Sequence, residues 1–94
     1  MSEHTAASLA KLDALLPLIA ALPASPAVAQ LTEETGSLRR AVTAFHLEAI
    51  RFRMYNVDRL LKQHGDDAAA RRAFEDVRQS LEAAGFHTRS HTAP

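Results

Sequence analysis

Residues 26–64 read PAVAQLTEETGSLRRAVTAFHLEAIRFRMYNVDRLLKQH, and the way this stretch folds decides the architecture of the whole chain. A heptad runs along it without a skip, through Val28/Leu31, Thr35/Leu38, Val42/Phe45, Ala49/Phe52 and Asn56/Arg59. Beyond Phe45 a second apolar stripe begins on the opposite side, through Leu47, Ile50, Met54, Val57 and Leu61. A helix apolar on two sides is a central element wrapped by others. Read as unbroken, these 39 residues span about 58 Å at 1.5 Å per residue. Gly36-Ser37 is the weak point, because Gly36 suits the end of one helix and Ser37 the cap of another. The unbroken seam through it predicts one continuous helix.

Working outward, Pro23-Ala24-Ser25-Pro26 turns the chain, with Ser25 as N-cap and Pro26 at the first helical position, where proline is tolerated. The segment before it predicts a helix over about residues 5–22, with its stripe at Leu9, Leu12, Leu15/Leu16, Ile19 and Leu22. Pro17 predicts a kink or a break there. On the other side, His64-Gly65-Asp66-Asp67 ends the central helix with a glycine and opens the next with an acidic cap. That last helix is expected over about 67–84, with Ala70, Phe74, Val77, Leu81 and Ala84 on one face. Gly85-Phe86 reads as a Schellman ending in which Phe86 covers Leu81. Residues 87–94 carry no apolar pattern and are read as a mobile tail.

Composition agrees with an all-α fold. In 94 residues there are 19 Ala and 12 Leu against six Val and Ile together, the usage of helices rather than strands. Three Gly and four Pro leave no phosphate-cradling loop, which excludes a P-loop or a Rossmann turn. The absence of Cys removes disulfides, thiolate metal sites and cysteine nucleophiles, and suits a reducing, cytoplasmic setting. No apolar run reaches membrane-spanning length. Ala14 to Leu22 followed by small residues superficially resembles a signal-peptide region, but Glu3 and Asp13 spoil its basic start and its leucines recur at amphipathic spacing.

The formal charge is zero but unevenly spread: residues 1–37 sum to −3, residues 38–62 to +4 and residues 63–94 to −1. Acidic flanks folded back on a basic middle are the simplest account. The basic set Arg39, Arg40, Arg51, Arg53, Arg59 and Lys62 does not share one face, and Tyr55 is a poor start for base stacking. Nucleic-acid binding by the central helix therefore stands as an alternative, not as the main reading.

Five histidines in 94 residues invite a metal reading. His46 has Ala49 and Ile50 at the third and fourth positions after it, and Glu48 is followed at its third position by Arg51, so the Glu-x-x-His pair of di-iron bundles is missing. A phosphoryl-accepting role for His46 is a second alternative, against which stands Leu47-Glu48-Ala49 in place of the lysine and glycine that such histidines typically precede. His87 and His91 fall in the tail. His46, Arg53 and His64 line up between the two apolar stripes of the central helix and form a candidate buried polar line whose members need partners. No glycine-flanked serine elbow is present.

The fold expected is therefore a single helical domain over residues 1–86, an antiparallel hairpin-type bundle of three helices with a long central one. Helices 1 and 3 have one stripe each and cannot cover the whole seam. A homodimer buries the remainder, with Val42, Phe45, Ala49, Phe52 and Asn56 as the candidate partner or dimer interface. A monomer would instead mean that the chain breaks at Gly36 and closes as four helices. The function expected is non-enzymatic, that of a regulatory or protein–protein interaction module such as an adaptor, antiactivator or assembly factor, with a protein partner and no cofactor, metal or membrane.

Overall fold

A computed structural model describes residues 3–86, apart from the side chain of His4. The expected tail, with His87 and His91, lies outside the described residues. The chain is all-helical and the helices number four: α1 Glu3–Ala20, α2 Pro26–Thr43, α3 Leu47–Gln63 and α4 Ala68–Ala83. The long central helix does not exist. Its 39 residues would need about 58 Å, whereas the longest dimension of the fold is 34 Å.

The break falls at Ala44-Phe45-His46, not at Gly36, and three residues seal both ends. Ala44 is the C-cap, and Phe45 takes a left-handed conformation with φ of 59°. The Phe45 N–H donates to the Val42 carbonyl and the His46 N–H to the Ala41 carbonyl, each at 3.1 Å. That is a Schellman ending with phenylalanine where glycine is usual. His46 then caps the next helix, its Nδ1 accepting from the Ala49 N–H at 3.2 Å. Gly36 instead lies inside α2. Its cost of about 1 kcal/mol in a helix interior is outweighed because Thr35 and Leu38 on either side are fully buried. Thr35 is satisfied by donating to the Leu31 carbonyl at 2.8 Å.

The remaining boundaries follow the sequence closely. Ser25 accepts from the Val28 N–H with Pro26 at the first position of α2. Asp67 accepts from the Ala70 N–H at 3.0 Å, and Gly85, with φ of 96°, closes α4 as Phe86 N–H reaches the Leu81 carbonyl at 2.9 Å. Pro17 does not end α1. The helix runs one turn further to Ala20, and the proline sits on its exposed side.

α3 folds back on α2, where Arg53 and Asn56 meet Glu34, and the four helices close a ring in which α1 packs against α2 and α4, α2 against α3, and α3 touches α4 over the least ground. The core fills the ring: Leu9, Leu12, Leu15 and Ile19 of α1, Leu31, Leu38 and Val42 of α2, Ile50, Met54, Val57, Leu60 and Leu61 of α3, and Phe74, Val77 and Leu81 of α4. On α3 it is thus the second stripe from Ile50 onward that is buried, while Phe52 of the heptad that continues from α2 is turned outward. Among the described residues, no helix is long and apolar enough to cross a membrane.

Candidate interaction surface

Folding at Phe45 explains the change of stripe. A single helix cannot bury one face before Phe45 and another face after it against the same neighbours, but two helices joined by a left-handed residue can. The consequence is a concentration of exposed apolar side chains. Phe45 is 60% exposed, Phe52 49%, Leu47 40% and Tyr55 37%, and these are the large exposed hydrophobics among the described residues. All four fall within residues 45–55, on the α2–α3 turn and the first turns of α3. Phe45 makes an edge-to-face contact with Phe86, ring centroids 5.2 Å apart.

The five residues expected to form an interface are not brought together. Val42 is buried inside the bundle, Ala49 is half-buried against the core, and Asn56 donates to Glu34 Oε1 at 3.0 Å. Phe45 and Phe52 alone of the set are exposed. Leu47, expected in a wrapped apolar stripe, is turned to solvent, and its position directly after the switch of stripe is the signal that could have found it.

The candidate buried polar line is not buried along its length. His46 and His64 are exposed, because they stand at the two ends of α3 as N-cap and C-cap rather than inside a helix. Arg53 is half-buried and paired as expected of a packed cation. Its Nη1 donates to both Glu34 oxygens, at 2.9 and 2.8 Å, and its guanidinium lies 5.1 Å from the Phe52 ring centroid. Glu34 thereby holds two residues of α3, Arg53 and Asn56, from α2.

Between the N-terminal flank and the middle the ion pairs run in the sense the charge distribution implies, flank acid to middle cation, whereas between the middle and the C-terminal flank they run in the opposite sense. Asp13 of α1 pairs with Arg39 of α2 at 2.8 Å, and this bond holds the Asp13 carboxyl below the usual carboxylate range. Between α3 and α4 the tie is Arg71, bonded to Asp58 at 2.6 Å, Asp66 at 2.7 Å and Glu75 at 3.3 Å. Burial alone would raise the Asp58 carboxyl, but the bonds from Arg71 and from Lys62 outweigh it and hold the group low. Arg71 is correspondingly raised: burial opposes its charge, and its bonds to Asp66 and Asp58 prevail.

Of the six cations of residues 38–62, Arg39, Arg53 and Lys62 are therefore committed to carboxylates. Arg51 and Arg59 form no ion pair among the described residues, and the Arg51 Nε is buried with no hydrogen-bond partner. No group of three or more His, Asp or Glu among the described residues is placed to hold a metal ion. Comparison with protein-family models, with curated proteins and with solved structures returns no match to this chain.

Proposed function

We propose that this chain is a small non-catalytic interaction module, a regulator or assembly factor that works by docking a protein on the patch formed by Phe45, Leu47, Phe52 and Tyr55. The observation that carries the reading is the confinement of the large exposed hydrophobics among the described residues to this one stretch. Clustered exposed apolar groups rimmed by polar ones are what protein contacts use, and scattered ones are ordinary. The backbone of Phe45 adds weight. An aromatic residue at φ of 59° costs roughly 1–2 kcal/mol relative to a right-handed conformation, a cost that glycine would remove, and local strain gathers at functional positions.

Nucleic acid is a weaker fit. Half of the basic set is neutralised by Asp13, Glu34 and Asp58, and Glu48 stands on the outer face of α3, where a phosphate chain would have to pass.

The test is quantitative affinity capture from cells with the full chain, comparing wild type with Phe45→Ser and Phe52→Ser. The reading expects proteins that are retained by the wild type and lost by both variants, with the helical circular dichroism of the variants unchanged. An identical retained set for all three baits would overturn it.

A further inference from the structure

The outward stripe of α3 has a regularity that contacts within the bundle do not explain. Glu48, Phe52, Tyr55 and Arg59 succeed one another at spacings of four, three and four residues, the repeat by which one helix presents a narrow seam to another. Both flanks of the stripe are occupied. Arg53 and Asn56 reach Glu34 of α2 on one side, and Asp58 reaches Arg71 of α4 on the other, so the stripe itself faces away from the core. Its end residues carry opposite charges, and neither Glu48 nor Arg59 forms an ion pair among the described residues. Its middle residues are two exposed rings. The order is acid, ring, ring, base. Turned end for end, it matches itself.

We infer that this stripe is the contact with a second copy of the chain. Two α3 helices lie antiparallel about a two-fold axis that passes between Phe52 and Tyr55. Glu48 of each copy then faces Arg59 of the other, and Phe52 of each packs on Tyr55 of the other. A two-fold contact demands self-complementarity, with residue i meeting residue j and j meeting i, and this stripe meets that demand in both charge and apolar content. A parallel arrangement would set acid against acid and base against base. The inference rests on the proposed function, since it takes the patch to be a docking surface, and it names the occupant. An unrelated helix has no reason to carry the same four groups in reversed order. Two short helices bury an area at the small end of specific interfaces, so association in the micromolar range is expected.

Sedimentation equilibrium of the full chain tests this with four proteins: wild type, Glu48→Arg, Arg59→Glu, and the double exchange. Circular dichroism of each shows whether the helices persist. The wild type is expected to dimerise, and each single variant to associate about tenfold more weakly or worse, because like charges then oppose. An equimolar mixture of the two single variants is expected to recover the dimer, since each new charge then meets its opposite, and the double exchange to dimerise like the wild type. A wild type that stays monomeric across micromolar concentrations overturns the inference but leaves the patch open to a different protein, and with it the proposed function. Retention of that monomer on a single-stranded oligonucleotide would assign the stripe to nucleic acid instead. A dimer that neither single variant weakens places the contact elsewhere. Single variants that dissociate, keep their helices and fail to reassociate when mixed overturn the pairing.

Discussion

Helices α2 and α3 are antiparallel neighbours of almost equal length, 18 and 17 residues, and they treat their outer faces differently. The outward positions of α2 hold Gln30, Glu33, Ser37 and Arg40, side chains at home in water. Those of α3 hold Phe52 and Tyr55 between Glu48 and Arg59, with Phe45 and Leu47 exposed at its start. Both inner faces are equally well buried, so the apolar outer face of α3 is not needed to close the bundle. Stability explains the outer face of α2. It leaves that of α3 to be explained by contact with another molecule.

The sharpest way to break this contrast is truncation on the two faces of α3. Met54→Ala removes a fully buried side chain and is expected to cost about 2–5 kcal/mol. Phe52→Ala, two residues away and larger, is expected to cost about 1 kcal/mol or less, because the ring is half-exposed. Urea denaturation at fixed protein concentration makes the comparison. Equal large losses would mean that Phe52 is core and that the two helices do not differ.

Arg53→Ala probes the tie between the helices. Its side chain is 35% exposed and that of Glu34 17%, which places the pair between surface bridges and buried ones, so a loss of about 1–2 kcal/mol is expected. Glu34→Gln keeps the bond to Asn56 and should cost less. If Arg53→Ala were silent, α2 and α3 would be held by the core alone.

The turn between them is next. His46→Ala removes the N-cap of α3 and is expected to cost about 1 kcal/mol, and His46→Asp to restore or exceed the wild-type stability. Thermal melts of the three proteins would show it. Were alanine and aspartate equivalent, the cap would not be formed and the break at Ala44-Phe45-His46 would be in doubt.

The smallest effect is electrostatic and belongs to the far flank of α3. Asp58 is held below its ordinary value in the folded chain, so it binds fewer protons folded than unfolded. Its contribution is present in full above the unfolded value, near pH 4, and is lost as the pH falls through the lower folded value. Melting wild type and Asp58→Asn from about pH 6 to pH 2 should therefore show a gap that narrows only below about pH 4. A gap independent of pH would remove the role of charge in the tie to Arg71.

How much of this was legible in the chain depends on where glycine and proline stand. Ser25-Pro26 and Gly85-Phe86 marked their helix ends because those residue types report the backbone they require. Phe45 does the same work as Gly85, closing a helix in the left-handed conformation, but nothing in a phenylalanine announces it. Gly36 is the converse case, a residue suited to ending a helix that sits inside one, as the unbroken seam through it implied, because its neighbours are buried. The information was present in another form. The apolar stripe changes sides at Phe45, and a stripe that changes sides in mid-helix is the mark of two helices. Treating it as a broad apolar surface on one rod left Phe45 and Phe52 on the outside, where they are, but it also sent Val42 to an interface and His46 to an interior that the fold does not give them.

A distance across the hairpin tests the central claim most directly. The chain has no cysteine, so Gln30→Cys and Gln63→Cys, both at exposed positions, take two spin labels cleanly. Pulsed electron resonance on labelled chain diluted into unlabelled chain then reads the intramolecular separation alone. Two helices folded back at Phe45 lie about 8–10 Å apart axis to axis, so a short distance with a narrow distribution is expected. A separation near 50 Å, the span of 33 residues in one continuous helix, would contradict the account and restore the rod.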